Sequence, residues 1–428
     1  MARTEFWLRP LEPLFFGPPR SFFAGEAHHA SSAFPPSPWT LQGIVRTHLL
    51  KSARQDLAYG LADRRPAARR ERETLVGSPD TLPPGWQLGA PVPVEEQEVD
   101  DEPRLNAWFP VPRFLFRRSG SGNGPPVRAR VLIDDTSDSS WDFADDRLAS
   151  WAERSDAVVV GPPPDTGDPT PLQGWVDAGN LRWALTGQGK WSPGGHDGDL
   201  PPFVRRERQV GVVIDDSAGT AQDGSLYTME RLRFQERSGL WSSLDIDRAD
   251  ARIDPDKLRN GIAHAGRRVR PVQLGSSPEK SSDWQAIEHP DEWLMKLCGR
   301  ESDTKARVWL YLASPVCIAA DQDRPRLQVG AGTGIEVRVR AAFIGPPELH
   351  GGFSMASGAS RGNQMFVPAG SVWLIDIEGD RRSERARVLR ALHGGYPFAD
   401  PRNNRDATAH AAFGFGRTFV GGGPRSRR

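Results

Sequence analysis

Strand, helix and glycine-loop segments follow one another twice along this chain, once in each half. That recurrence limits it to an α+β protein of two parts. The first half opens on RTEFWLRPL (3–11), whose partial alternation marks a strand. FFGPPRSFFAGEAHHASSAFPPSPWT (15–40) is an exposed loop by its Gly, Pro and Ser content. In TLQGIVRTHLLKSARQDL (40–57), Leu41, Ile44, Val45, His48 and Leu49 fall on one helical face. Ser37 and Thr40 are candidate caps, and Pro38 suits a first turn. Residues 60–105 turn charged and Pro-rich and read as an insertion. LNAWFPVPRFLF then returns to the core, and a polar stretch at 117–170 reads as a second insertion. Two strands near 206–214 and 225–234, joined by a Gly- and Asp-containing turn, form a long hairpin that closes the first part.

The second half carries clearer strands at 307–318, 334–345 and 371–377, then a helix at 383–395 with a glycine stop. In the last strand both faces are apolar enough to be buried. It ends on AAFGFGRTFVGGG and a short basic tail. The expected division is 1–240 and 241–428. A length of 428 residues suits two medium domains, and 44 Gly with 38 Pro exclude a helical bundle.

Charge and cysteine usage narrow the function. A formal net charge of zero excludes a uniformly basic nucleic-acid coat but leaves room for a local basic groove. Of 55 cations only six are lysine. Arginine suits bidentate phosphate contacts and base stacking, although GC-rich coding produces the same bias. Cys298 and Cys317 form no ligand cluster, and no HxH, CxxC or P-loop pattern occurs, so neither a metal nor another cofactor is expected. The start lacks a signal-peptide core and no apolar run reaches transmembrane length. The expected location is the cytoplasm, with no membrane partner and reduced thiols.

Four pieces of the chain, in order, resemble one family. They are LRPLEPLFFGPPRSFFAG with FPPSPWTLQGIVRTHLL; RQVGVVIDDSAGTAQDGSLYTMERLRF; RAAFIGPPELHGGFSM with VPAGSVWLIDI; and GFGRTFVGGG. Together they resemble the RAMP superfamily of CRISPR-associated proteins, and within it the third subunit of the type III-B Cmr effector complex. The first loop departs from the family, with Gly17-Pro18-Pro19-Arg20 where an Asp-Gly pair is frequent. The resemblance implies two ferredoxin-like (RRM-like) domains with long loop insertions. It also implies a non-catalytic subunit that caps the 5′ tag of the guide RNA. Its neighbours would be the large polymerase/cyclase-like subunit on one side and the backbone RAMP subunits on the other.

Holding RNA requires phosphate neutralisation, backbone amides that phosphates can approach, and flat groups for unstacked bases. Candidates for these roles are Arg20 in the first loop, then Ser37, Gln42 and Arg46 around the first helix, with Gln42 one turn before Arg46. On the hairpin they are Arg205, Arg206, Arg208, Tyr227 and Arg231. In the terminal segment they are Gly414, Gly416, Arg417, Gly421 and Gly422. Each has a structural alternative: Ser37 as a plain cap, Tyr227 in the core, and the glycines as a tight domain end. Two rival functions remain. One is a guide-processing ribonuclease using His28, His29 or His48 as acid–base groups. The other is a docking scaffold with little RNA contact.

Overall fold

The computed structural model describes residues 2–17, 29–59, 66–117, 125–132, 158–160, 170–192, 198–214, 220–247, 252–266, 270–317, 337–354, 359–398 and 410–422. The opening strand, Ala2–Pro10, is central to a nine-stranded sheet. On one side it pairs antiparallel with Ser238–Ile246 (Trp7 opposite Trp241), and on the other with Arg270–Ser276 (Leu8 opposite Leu274). The sheet continues outward to Asn260–Ala265 on one edge. In the other direction it runs through Val92–Val99 and Glu102–Pro110 to Trp175–Asp177. Two short strands, Trp86–Leu88 and Glu279–Lys280, complete it.

The helix Pro38–Ala53 forms where expected, with Pro38 in the first turn. The Ser37 hydroxyl accepts the Trp39 N–H at 3.3 Å, so Ser37 acts as the N-cap. Leu41, Ile44, Val45, His48 and Leu49 are buried, as the spacing predicts, and the apolar ones share a core with Phe6, Leu8 and Leu274. His48 is sealed there, its Nε2 3.0 Å from the Lys257 carbonyl, and burial lowers its pKa.

The stretch 60–105, expected as a partly helical insertion, is described from residue 66. It contains a helix, Pro66–Val76, and then a hairpin inserted in the body of the large sheet. Val94 and Leu105 are fully buried on that hairpin. Its turn is Asp100-Asp101, both at positive φ (53° and 63°), between Val99 and its partner Glu102. A two-residue turn of this hand matches strand twist, and aspartate tolerates it. The second expected insertion, 117–170, is described at 125–132, 158–160 and its ends, where Leu115–Arg117, Val127–Arg128 and Thr170–Pro171 make a small sheet.

The long hairpin is present as Val204–Ile214 and Ala221–Phe234, with Arg208 opposite Glu230 and Val212 opposite Leu226. It forms its own three-stranded sheet with His29–Ala30. The next strand, Ser238–Ile246, re-enters the large sheet. The 240/241 division therefore falls inside a strand, and residues up to Lys280 still contribute to the first sheet.

A second, four-stranded antiparallel sheet has the order Val337–Phe343, Val372–Glu378, Lys305–Leu312, Thr418–Gly422. Helices Arg382–Leu392 and Asp291–Leu297 cover one face through Val388, Leu389 and Leu294. The other face packs on the large sheet: Phe114 stacks on Trp309 (5.0 Å between centroids, 9° between planes), and Phe109 meets Phe419 edge-on. The Tyr311 hydroxyl donates to the Pro110 carbonyl at 2.7 Å. Both faces of 371–377 are buried, as its composition predicts. The architecture is α+β, with mainly antiparallel sheets sharing a continuous core. Cys298 is buried and Cys317 half-buried, and neither is joined in a disulfide. No helix among the described residues is long and apolar enough to cross a membrane.

Candidate nucleic-acid interface

A cleft of about 1890 Å³ opens between the start of helix Pro38–Ala53 and the hairpin Glu348–Ser354/Ala359–Phe366. Ser37, Gln42 and Arg46, three of the residues singled out above, line it together. Helical spacing sets Gln42 and Arg46 one turn apart on the same side. The Gln42 amide donates to the Pro79 carbonyl at 3.4 Å, and the Arg46 guanidinium donates to the Gly77 carbonyl. Among the described residues no carboxylate lies within ion-pair distance of Arg46. Burial, and then the neighbouring charge of Arg361, pull its pKa down to about 10, so it stays cationic at neutral pH.

Arg361 reaches the same place from the hairpin. Its guanidinium lies over the Trp39 ring at 5.3 Å, pairs with the Asp80 carboxylate at 2.8 Å, and donates to the Pro79 carbonyl. Trp39 belongs to an aromatic cluster with Phe366 (5.8 Å), Phe415 (5.1 Å) and His410 (5.3 Å) that ties helix, hairpin and C-terminal loop together. The three acids that line the cleft are answered locally: Glu73 by Arg69 at 2.8 Å, Asp199 by Arg206 at 2.6 Å, and Glu348 by His350 at 3.4 Å. Arg72 and Arg113 also line the cleft. The result is a concave surface with cations, amide donors, prolines and aromatic edges. That is the chemistry of a binding site for an anionic chain carrying flat groups.

A family model described as CRISPR-associated protein (Cas_Cmr3) matches residues 6–422. The chain belongs to that family. It is accordingly a subunit of a type III CRISPR effector. Among solved structures, a chain of the cryo-EM structure of the Type III-B Cmr-beta bound to cognate target RNA and AMPPnP is similar at 14% identity. The match covers 96% of this chain and 95% of that one, with a TM-score of 0.45. A chain of the crystal structure of the Csm1-Csm4 cassette in complex with cA4 is similar at 13% identity, covering 87% and 86%, with a TM-score of 0.30. No curated protein matches.

In this Cas_Cmr3-family chain none of the remaining candidates among the described residues lines the cleft. Arg20 lies outside the described residues. On the long hairpin Arg205 is exposed, and Arg208 points to solvent with a loose pair to Glu230 at 3.4 Å. Arg206 sits at the cleft rim, held by Asp199 and by the Ser32 carbonyl at 2.9 Å. Tyr227 packs against Phe15, Ala30 and Met229, and Arg231 is buried. Towards the tip the hairpin exposes Val210, Val212, Ile214 and Leu226.

The terminal glycine segment has internal partners instead of an open phosphate nest. Gly421 and Gly422 pair with Trp309 and Val308 as part of strand Thr418–Gly422. Gly416 donates its N–H to the Pro315 carbonyl at 2.8 Å. Gly414 has φ +97°, and a Cβ there would stand 2.5 Å from the Ala90 nitrogen, so close backbone packing demands glycine. Arg417 is buried, pairs with Glu288 at 3.1 Å and lies over Phe419 at 5.2 Å. The reason is topological: this segment closes the second sheet, and its glycines admit Leu185 and Ala90 from neighbouring elements.

His29 pairs with Glu230 at 3.4 Å on the hairpin sheet, His48 is sealed in the core, and His28 lies outside the described residues. Among the described residues no group of His, Cys, Asp or Glu is arranged to hold a metal. Sequence reading missed Trp39, Arg113 and Arg361. Arg361 lies 322 positions after Trp39, and nothing local marks two residues that only tertiary packing brings together.

Proposed function

We propose that this chain is the third subunit of a type III-B effector, non-catalytic, and that it lays the 5′ tag of the guide RNA in the cleft between helix Pro38–Ala53 and the Glu348–Phe366 hairpin. The observation that carries the reading is Arg46, a half-buried cation at the cleft wall that donates to a carbonyl and has no carboxylate within ion-pair distance among the described residues. Beside it Arg361 adds a second cation, backed by the buried Trp39 ring, while the buried Gln42 fixes the wall through the Pro79 carbonyl. The exposed apolar tip of the long hairpin supports docking of neighbouring subunits. The expected neighbours are the large polymerase/cyclase-like subunit and the backbone RAMP subunits, in the cytoplasm. Two ferredoxin-like units belong to the same proposal, with the nine-stranded sheet as an enlarged first one.

The test is reconstitution of the full chain with the large subunit and an end-labelled guide RNA carrying its 5′ tag. Tag-dependent retention of intact RNA, weakened by Arg46→Ala, is the expected result. Loss of one phosphate contact lowers the slope of log K against log salt by about 0.7 for a single strand. Retention unchanged by both Arg46→Ala and Arg361→Ala refutes the cleft assignment. Metal-independent cutting abolished by His28→Ala or His29→Ala replaces the whole reading with a processing ribonuclease.

A further inference from the structure

Three side chains of the cleft, Gln42, Arg46 and Arg361, converge on a single turn that is buried at Gly77 and exposed at Asp80 and Thr81. Residues 77–81 follow helix Pro66–Val76, and the turn is ordered by its own contacts. The Ser78 hydroxyl accepts the N–H groups of Asp80 (3.2 Å) and Thr81 (3.0 Å) and lies 2.8 Å from the Thr81 hydroxyl. Gly77, at φ +80°, lets the chain fold back so tightly that a Cβ would be 2.3 Å from the Thr81 carbonyl oxygen. This self-supported turn presents three oxygens to side chains of the cleft wall and the hairpin. The Gly77 carbonyl receives Arg46, the Pro79 carbonyl receives Gln42 and Arg361, and the Asp80 carboxylate receives Arg361.

The burial of the partners is unequal. The Arg361 side chain is 15% exposed and backed by Trp39, whereas the Asp80 side chain is 78% exposed. A well-anchored cation is thus answered by one oxygen of a carboxylate that stands in water. Such an exposed pair is weak. A phosphate has two free oxygens and matches the guanidinium fork in shape.

We propose that the Gly77–Thr81 turn is a built-in stand-in for the RNA backbone, and that a phosphodiester of the bound strand takes the place of the Asp80 carboxylate on Arg361, beside Arg46. The inference rests on the cleft holding RNA. It adds the ligand group, its position, and an internal competitor that must yield before RNA binds. In the free protein the competitor occupies the Arg361 guanidinium. In the bound state the phosphate does so.

The experiment uses the same reconstituted complex and labelled tagged guide RNA, with Kd measured at fixed salt for Asp80→Asn, Arg361→Ala, the double variant and Glu348→Gln. Glu348 lines the same cleft without touching Arg361 and controls for removal of any negative charge. Competition predicts that Asp80→Asn tightens binding about threefold, the worth of an exposed ion pair. Glu348→Gln tightens it less, and Asp80→Asn on the Arg361→Ala background changes nothing. Weaker binding by Asp80→Asn overturns the proposal, because the turn then positions Arg361 for RNA. Equal tightening with and without Arg361 also overturns it, in favour of a general field effect. Both results leave the cleft assignment standing if Arg361→Ala still weakens binding. If Arg46→Ala and Arg361→Ala each keep wild-type affinity, the cleft assignment itself falls.

Discussion

Replacing Glu288 by glutamine should cost about 3 kcal/mol at neutral pH, and the loss should disappear in acid. Glu288 ends the helix Ser282–Glu288, with its side chain 4% exposed. Its carboxylate accepts from Lys280 at 2.5 Å and from Arg417 at 3.1 Å. Lys280 also pairs with Glu5 of the opening strand at 2.7 Å, so the cluster joins the large sheet to the segment that closes the second. Burial pushes the Glu288 pKa up, but the two cations outweigh it and bring it from 4.5 down to about 2. That difference of 2.5, at 1.36 kcal/mol per unit, gives about 3 kcal/mol of stabilisation. The mutational scale for a broken buried pair, roughly 3–5 kcal/mol, agrees at its lower end, as expected for a glutamine that still accepts one hydrogen bond. Because the folded pKa lies below the unfolded one, the stabilisation is complete above about pH 4.5 and is lost as pH falls towards 2. Urea unfolding followed by tryptophan fluorescence reads it directly, since Lys280 lies 4.4 Å from the Trp241 ring and 5.1 Å from the Trp284 ring. The gap between wild type and Glu288→Gln should hold at about 3 kcal/mol from pH 7 to pH 5 and close near pH 2. A gap below about 1 kcal/mol at pH 7, or one that persists at pH 2, refutes the account.

Two other perturbations test the packing around the cluster. His393 is half-buried, accepting the Val420 N–H on Nδ1 at 3.2 Å and donating from Nε2 to the Ile287 carbonyl at 2.5 Å, which fixes the neutral ring. Burial lowers its pKa to about 4, so unfolding takes up a proton between about pH 6.5 and 4 and stability falls through that window. His393→Gln should flatten this part of the wild-type pH–stability curve, measured by the same urea transitions. Gly414→Ala forces a Cβ to 2.5 Å from the Ala90 nitrogen at φ +97° and should cost more than about 2 kcal/mol by thermal unfolding. A variant within about 0.5 kcal/mol of wild type would mean that the loop relaxes freely.

The elements most visible in the sequence were those whose signal is local. The opening strand, the first helix with its buried face, the long hairpin and the four-residue-spaced apolar face of Arg382–Leu392 all follow from periodicity and caps. The hairpin Val92–Pro110 was hidden because its outer half is acidic. Glu95, Glu96, Gln97 and Glu98 mask the buried Val92 and Val94, and Asp100-Asp101 is an infrequent pair for its turn. The continuation of the first sheet past residue 240 was equally silent, because strand order is a long-range property: Arg270–Ser276 finds the opening strand about 265 positions away.

The candidate site divides along the same line. Gln42 and Arg46 were legible because helical spacing sets them one turn apart on one side, and Ser37 because it caps the same helix. Arg417 and its glycines had equally suggestive chemistry but serve the core, because a strand that closes a sheet needs small residues where other backbones cross it. Chemical suitability therefore did not separate the two groups. The separating quantity is what answers each cation. Arg417 has a buried carboxylate at 3.1 Å and a depressed-pKa partner in Glu288, so its charge is already committed within the fold. Arg46 has a carbonyl, a like-charged neighbour and an open cleft, so its charge is still available to a ligand. Arg361 lies between these cases, held by one exposed carboxylate, and for that reason it is the position where a bound phosphate and the protein's own turn compete.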